Sequence, residues 1–193
     1  MNKFILAGVS AALVMSAAAG SQAQTKLSRN EIINSLQGAQ QEVDINADQI
    51  QKAAIENIEK YPGANSPQSL PLADKLASLR QFNIEITFHF DSATIAPESY
   101  EAVGLIADAL HTPYLQGQTF VIVGHTDAKG ARDYNLELSI KRAQAVREAL
   151  ATTFRVPGET LASVGLGEEQ LRDPASPDAA VNRRVQLINL GYK

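Results

Sequence analysis

The chain contains 193 residues, of which 45% are hydrophobic and 20% charged, and its formal net charge is −4 (17 basic minus 21 acidic residues). Such a composition is typical of a globular protein, and the length allows one domain with an extension or two small domains. The lack of Cys excludes disulfides, Cys-ligated metals and thiol nucleophiles. The acidic balance offers no basic footprint for nucleic acid. With only three scattered histidines (His89, His111 and His125), we expect neither a metal site nor a cofactor.

Residues 1–23 have the pattern of a secretory signal peptide. Lys3 supplies a positive start, and apolar or small residues run without interruption from Phe4 to Ala19. Small residues at Ser21 and Ala23 predict cleavage before Gln24. The apolar stretch is shorter than the roughly 18–20 residues that a spanning helix needs. We therefore expect an exported chain, in the periplasm, with no transmembrane span after cleavage.

Residues 24–69 predict a polar, helical leader that ends in a linker. Ser28 with Glu31 forms a capping-box signature, and Asn46 offers a second helix start. Apolar residues recur at helical spacing after both starts: Ile32, Ile33 and Leu36, then Ile50, Ala53, Ala54 and Ile58. Three prolines and a glycine between residues 61 and 71 indicate the linker. We interpret the leader as a loosely packed spacer, with a helix pair that binds a partner or itself as the alternative.

The pattern changes to alternating strands and helices in residues 80–193. Alternation of Ile84, Ile86, Phe88 and Phe90 with polar residues predicts a half-buried first strand. A helix is predicted after Pro97, and a long helix over residues 134–153. Further strands are predicted over residues 120–123, 161–164 and 184–190. The order β-α-β-α-β-β predicts the α/β class, an α+β sandwich with one mixed sheet and helices packed against it.

Glycines and a histidine stand at the ends of the predicted strands. Gly124, Gly130, Gly165 and Gly167 are interpreted as turn formers. His125 is interpreted as an imidazole that packs the loop and not as a catalyst.

The long helix carries an arginine in an unusual position. On a helical wheel, Glu137, Lys141, Gln144 and Glu148 share the solvent face, opposite the apolar residues. Arg142 falls far from that solvent face, close to Asn135 and beside Leu138. An arginine at the margin of the core needs a partner, and Asp127 in the preceding loop is the expected one.

The pair of Asp127 and Arg142 has two interpretations. It could be a salt bridge that fixes the loop to the helix. It could instead be a split ligand site, in which Asp127 binds an ammonium group and Arg142 binds a carboxylate through two parallel hydrogen bonds. The loop leaves the end of the central strand, where open α/β sheets tend to place ligand sites. Both interpretations remain open at this point.

Four segments together resemble the OmpA-like C-terminal domain family, whose members bind peptidoglycan. They are FHFDSATI (88–95), GHTDAKG (124–130), YNLELSIKRAQAV (134–146) and NRRV (182–185). They occur in the right order across residues 80–193. The resemblance implies a βαβαββ fold and non-covalent binding of the diaminopimelate in the stem peptide.

The resemblance also implies roles for six residues. Asp127 would bind the ammonium group of diaminopimelate, and Arg142 its carboxylate. Asn135 and Asp91 match positions that line the same pocket, Leu138 would form an apolar wall, and Arg183 would lie near the groove.

Three functions compete on this evidence. The first is a binding module that docks on the cell wall and tethers or organises the envelope, in association with the outer membrane. The second is an enzyme, which we do not expect, because GxSxG, HExxH and Cys are absent and an acid with an arginine suits binding better than acid–base chemistry. The third is an assembly protein, whose leader binds another envelope protein while the domain localises it. Deleting residues 24–69 should then abolish partner binding and leave wall binding intact.

Overall fold

The computed structural model describes residues 27–38, 44–62, 70–89 and 91–192. Its helices are α1 (Arg29–Leu36), α2 (Ala47–Lys60), α3 (Ala73–Ser78), α4 (Tyr100–Leu110) and α5 (Arg132–Glu148), and α5 continues into a π-helical turn, Ala149–Thr153. Its strands are β1 (Gln81–Ile84), β2 (Thr119–His125), β3 (Leu161–Gly167) and β4 (Val185–Gly191). The predicted signal peptide and most of the predicted linker lie outside the described residues.

The four strands form one mixed sheet in the order β1-β4-β2-β3. β4 pairs antiparallel with both β1 and β2, whereas β2 and β3 are parallel. A parallel pair needs a long crossover, and α5 supplies it between β2 and β3. The predicted βαβαββ order and mixed sheet are confirmed from β1 onward.

The first strand differs from its prediction in position. β1 ends at Ile84, which pairs with Val185 at the start of β4. The described alternating residues beyond Ile84 therefore extend past the start of β4 and pair with none of the four strands. Phe88 instead forms an isolated bridge with Ile95, so the segment folds back on itself. Hydrophobic alternation predicted the extended conformation, but it could not show where the partner strand begins.

The two faces of the sheet bury two separate hydrophobic clusters. Side chains alternate between faces along β2: Phe120 and Ile122 enter one cluster, and Val121 and Val123 enter the other. The first cluster is closed by α1, α4 and the core face of α5. The second is closed by α2, with Ile50, Ala53 and Ala54, and by Leu76 of α3. Both helices of the leader thus close the domain core.

Helix α2 is also bound to the exposed edge of the sheet. The Gln51 side chain donates to the carbonyl of Gly165 (3.1 Å) and accepts from the amide of the same residue (2.9 Å). One carboxamide thereby satisfies the amide and the carbonyl of Gly165 at the edge of the sheet, as a further strand would. The expectation that the leader is a loosely packed spacer is therefore wrong for α1 and α2. Burial of their apolar faces needs the folded sheet, which helical periodicity alone could not reveal.

Two of the glycines predicted to form turns lie inside strands. A Cβ at Gly124 would come within 2.2 Å of the Ser139 carbonyl oxygen, and one at Gly165 within 2.4 Å of the Ser139 hydroxyl. Helix α5 can approach β2 and β3 this closely only because both positions lack a side chain. Gly130 (φ 97°) and Gly167 (φ 51°) do adopt the left-handed conformation that favours glycine. The close approach fixes the beginning of α5 over the ends of the strands, where the candidate site lies.

Candidate functional site

The candidate residues converge at one end of the sheet. The parallel strands β2 and β3 both finish at this end, and β4 begins there because it runs antiparallel to β2. The loop after β2, the first turns of α5 and the segment before β4 therefore meet. Asp127, Asn135 and Arg183 come from these three segments.

Asp127 is paired with Arg183. Its Oδ2 accepts a hydrogen bond of 2.6 Å from Nη1 of Arg183, and its Oδ1 accepts a longer one from the amide of Lys129 (3.3 Å). The Asp127 carboxylate is largely buried, whereas 47% of the Arg183 side chain is exposed. A buried acid thus has a partner that water can also solvate, so this arginine can leave at modest cost.

Arg142 has partners other than the expected Asp127. Its Nε donates to the carbonyl oxygen of Ser92 (3.2 Å), and its guanidinium carbon lies 4.9 Å from the centre of the Phe88 ring. Within the described part of the chain, it forms no salt bridge. The interpretation of Asp127 and Arg142 as a salt bridge is therefore wrong, and the split-site interpretation stays a prediction. Sequence spacing placed the two residues at one groove, but it could not show that Arg183 approaches Asp127 from a distant segment.

The positive charge of the Arg142 guanidinium is partly buried and has no acidic side chain paired with it among the described residues. Burial is the main influence and lowers its pKa, and the charge of Arg183 acts in the same direction. The charges of Asp127 and Asp91 act in the opposite direction. Arg142 is thus within electrostatic range of three charged side chains, one basic and two acidic. The terminal nitrogens of Arg142, unlike its Nε, have no protein acceptor among the described residues, and they could bind a carboxylate in a fork.

Asp91 and Tyr134 form the outer edge of this group. Asp91 adopts a φ of 49°, a left-handed conformation that aspartate tolerates better than most residues. Its carboxylate accepts a hydrogen bond from the Tyr134 hydroxyl, which raises the pKa of Tyr134. Sequence reasoning had assigned no site role to Tyr134.

Asn135 supports the loop from behind. Only 3% of it is exposed, and its Nδ2 lies within hydrogen-bond distance of Glu168 Oε2 (2.5 Å) and of the carbonyl oxygens of Lys129 (3.1 Å) and Asp127 (3.3 Å). Leu138 is half-buried one turn before Arg142, on the same side of α5. Of the six predicted residues, Asn135 holds the loop in place, and the charges of Asp127, Arg183 and Asp91 all act on Arg142.

Two acidic residues that sequence reasoning missed follow directly after β3. Glu168 is buried and binds Asn135; burial raises the pKa of its carboxyl, and the hydrogen bond from Asn135 opposes that shift. Glu169 forms a buried salt bridge with Arg132 (2.7 Å) and also binds Asn57 of α2 (2.5 Å). Because β3 is parallel to β2, the acids after β3 had to lie at the same edge as Asp127. That was the available signal.

A buried polar layer lies below the site. His125 Nε2 is 3.0 Å from Gln186 Oε1, and burial holds the pKa of the imidazole well below its usual 6.5. Among the described residues, Arg184 donates to neutral acceptors alone, one of them Asn83 Oδ1 at 3.0 Å, and burial lowers its pKa to about 10. This second arginine of the NRRV segment therefore stabilises the sheet end, while Arg183 faces the groove. Within the described ranges, His, Asp and Glu side chains form no cluster of three or more that could hold a metal ion.

Comparison with known proteins identifies the family. Residues 87–184 match the model of the OmpA family. The chain belongs to the OmpA family. The resemblance carried by the four sequence segments is thus confirmed, together with the α/β fold class.

Several OmpA-family relatives align beyond the matched region. Outer membrane porin F of Pseudomonas aeruginosa is 31% identical over 147 residues, which cover 74% of this chain and 41% of the porin. Peptidoglycan-binding protein ArfA of Mycobacterium bovis is 33% identical over 139 residues, or 69% of this chain and 42% of ArfA. The chain therefore spans about two fifths of the length of these relatives.

A solved structure of the family also aligns with the chain. It is the crystal structure of the peptidoglycan-associated lipoprotein from Burkholderia pseudomallei, which is 32% identical with a TM-score of 0.45. The alignment covers 62% of this chain and 98% of that structure.

None of the helices in the described ranges has the length and apolar character needed to cross a membrane.

Proposed function

We propose that this OmpA-family chain binds peptidoglycan non-covalently through the diaminopimelate of its stem peptide. The observation that carries the proposal is the pair of Asp127 with Arg183, together with Arg142, on whose guanidinium both of their charges act. A diaminopimelate side chain ends in a zwitterionic centre, with one ammonium and one carboxylate group. A buried acid beside two arginines complements both charges. We propose binding without a reaction, because Asp127, Arg183 and Arg142 suit charged groups and include no nucleophile paired with a base.

Binding would proceed by exchange of ion pairs. The ligand ammonium takes the place of Arg183 on the Asp127 carboxylate. The ligand carboxylate is received by the terminal nitrogens of Arg142, whose Nε remains on the Ser92 carbonyl and keeps the fork oriented. Arg183, released from Asp127, stays close enough to add a second positive charge. The buried Asp127 carboxylate thereby has a cationic partner before and after binding, which avoids the cost of an unpaired buried acid.

The cellular role follows from this activity and from the relatives. One relative is named for binding peptidoglycan, another for association with it, and a third for the outer membrane. Together with the predicted signal peptide, these names support an exported protein that tethers or organises the envelope from the periplasm. A partner bound by the leader is less well supported, because most apolar residues of α1 and α2 are buried in the domain. Ile55, 41% exposed, is the large apolar residue that the described part of the leader helices still presents.

Co-sedimentation with purified sacculi tests the proposal. Mature wild-type chain should pellet with sacculi that contain meso-diaminopimelate. Arg142→Ala should bind about tenfold more weakly or worse, which is the cost of losing charge-assisted hydrogen bonds. Arg29→Ala is the matched control, since it removes the same charge from an exposed position on α1. Retention of wild-type binding by Arg142→Ala would exclude this site, and failure of wild type to pellet would exclude the function.

A further inference from the structure

A second groove lies beside the candidate site. It has a volume of about 490 Å³ and runs between residues 93–95 and the solvent face of α5 with its π-helical turn. The residues used below are Thr94, Tyr100, Lys141, Gln144, Glu148 and Thr152, which all line it. These six residues are distinct from Asp127, Arg183 and Arg142 of the candidate site.

The groove is continuous with the candidate site. Arg142 bonds the carbonyl of Ser92, and the next residue, Ala93, lines the groove. Lys141, the neighbour of Arg142 in α5, lines it as well. With a rise of 1.5 Å per residue, Gln144 and Glu148 lie about 3 and 9 Å further along the helix axis from Arg142. A ligand held by Arg142 could therefore extend into the groove without a gap.

The lining combines polar side chains with small apolar ones. Thr94 and Thr152 contribute hydroxyls, and Gln144 donates to Glu148 (3.0 Å), so that an amide and a carboxylate are presented together. The one basic residue of the lining, Lys141, forms a salt bridge with Glu137 (2.7 Å), so the groove offers no unpaired positive charge to attract a polyanion. Tyr100, 42% exposed, adds an aromatic surface with a polar tip. Neutral donors and acceptors beside an exposed aromatic ring suit a polyhydroxylated, uncharged ligand.

The reach of the stem peptide matches the position of the groove. Two residues, L-alanine and γ-linked D-glutamate, separate diaminopimelate from the muramic acid that carries the stem. Two extended residues span about 7 Å, and the γ-linkage adds to that length. The side chain of diaminopimelate adds further bonds between the zwitterionic centre at Arg142 and this linkage, so the stem is long enough for the sugar to reach the groove lined by Gln144 and Glu148.

We propose that this groove receives the N-acetylated sugar to which the bound stem peptide is attached. The inference rests on the proposed function, and it adds a contact with the glycan strand to the contact with the peptide. The chain would then distinguish peptide still attached to the wall from free stem peptide.

Two soluble probes of peptidoglycan test this inference by titration calorimetry on the mature chain. One is the tripeptide L-Ala–γ-D-Glu–meso-diaminopimelate, and the other is the same tripeptide on its N-acetylglucosamine–N-acetylmuramic acid disaccharide. The disaccharide form should bind about 2- to 10-fold more tightly, the factor expected from one net hydrogen bond. Gln144→Ala and Tyr100→Ala should lose that gain and bind the tripeptide as wild type does. Asn30→Ala, an exposed amide on α1, should keep the gain.

The outcomes separate the two proposals. Equal affinity of wild type for both probes would overturn the groove and leave peptide binding intact. A gain that persists in both groove variants would also overturn it. If neither probe binds, the proposed function fails and the groove assignment fails with it.

Discussion

Asp127 is shared between the protein and its proposed ligand. In the unliganded chain its carboxylate is paired with Arg183, which comes from a segment 56 residues away. Arg142, in contrast, is anchored by its Nε and by the ring of Phe88. The anchored arginine suits recognition of a carboxylate with fixed geometry, and the exposed one suits release of the acid. The two arginines therefore have different expected roles, although both are near the same acid.

Replacing Asp127 by Asn tests the ammonium contact. The variant keeps the shape of the side chain and removes its charge, so meso-diaminopimelate tripeptide should bind at least about tenfold more weakly. The free energy of unfolding should change by only about 1 kcal/mol or less, because the lost partner is half-exposed. Calorimetry and urea denaturation measure the two quantities. Asp108→Asn, at an exposed position of α4, is the control, and equal loss of affinity in both variants would contradict the assignment.

At the scale of elements, sequence patterns located where helices begin. Ser28 and Asn46 do cap α1 and α2, each with a complete capping box. The solvent face of the long helix was also predicted correctly, since Glu137, Lys141 and Gln144 are exposed. These features depend on residues within one or two turns, which is why the sequence revealed them.

Contacts between elements that are distant in the sequence could not be predicted from local sequence patterns. The bonds of Gln51 with Gly165, and of Asn57 with Glu169, join residues more than 100 positions apart. The pairing of Asp127 with Arg183 belongs to the same class. Each depends on the sheet being assembled first, so no local pattern in the sequence signals it. The leader therefore appeared separable in the sequence although α2 closes one face of the sheet.

Deleting residues 24–69 should destabilise the domain itself. The deletion uncovers apolar side chains of the second cluster, among them Val121, Val123 and Ile188. Exposing each such side chain costs about 1.5–3 kcal/mol, so we expect a loss of several kcal/mol and aggregation. Thermal unfolding followed by circular dichroism measures it. An unchanged midpoint would show that the leader is dispensable, as first expected from the sequence.

A single substitution in α2 gives a milder test of the same packing. Gln51→Ala removes both hydrogen bonds to the edge of β3, and we expect a loss of about 1–2 kcal/mol in urea denaturation. Lys52→Ala, exposed on the adjacent position, should change stability by no more than about 0.5 kcal/mol. If the two variants lose the same amount of stability, the hydrogen bonds between Gln51 and Gly165 contribute nothing to it.

For the molecule as a whole, the buried layer below the site makes stability depend on pH. Burial keeps His125 neutral in the folded chain, whereas in the unfolded chain it titrates near its usual pKa of 6.5. Below that pH the unfolded state binds a proton that the folded state does not. The free energy of unfolding should therefore decrease as the pH is lowered, by at most about 1.4 kcal/mol per pH unit for this group. Above pH 6.5 the contribution is fully present.

Urea denaturation at pH 7.5 and 5.5 measures this dependence. His125→Gln should lose less stability than wild type between the two values, since its side chain does not titrate. Glu168, whose raised pKa acts in the opposite direction, remains in both proteins and cancels in the comparison. His89→Gln, at an exposed position, should behave as wild type. A wild-type loss that His125→Gln reproduces in full would assign the effect to other groups.

The measurement that tests the central claim most directly compares two tripeptides that differ in one carboxylate. The first tripeptide is L-Ala–γ-D-Glu–meso-diaminopimelate, whose last side chain ends in both an ammonium and a carboxylate group. In the second, L-lysine replaces diaminopimelate, so the side chain ends in the ammonium group alone. Titration calorimetry of the mature chain should show the diaminopimelate form bound at least about tenfold more tightly. The preference should disappear in Arg142→Ala. Equal affinity of wild type for the two tripeptides would contradict the account.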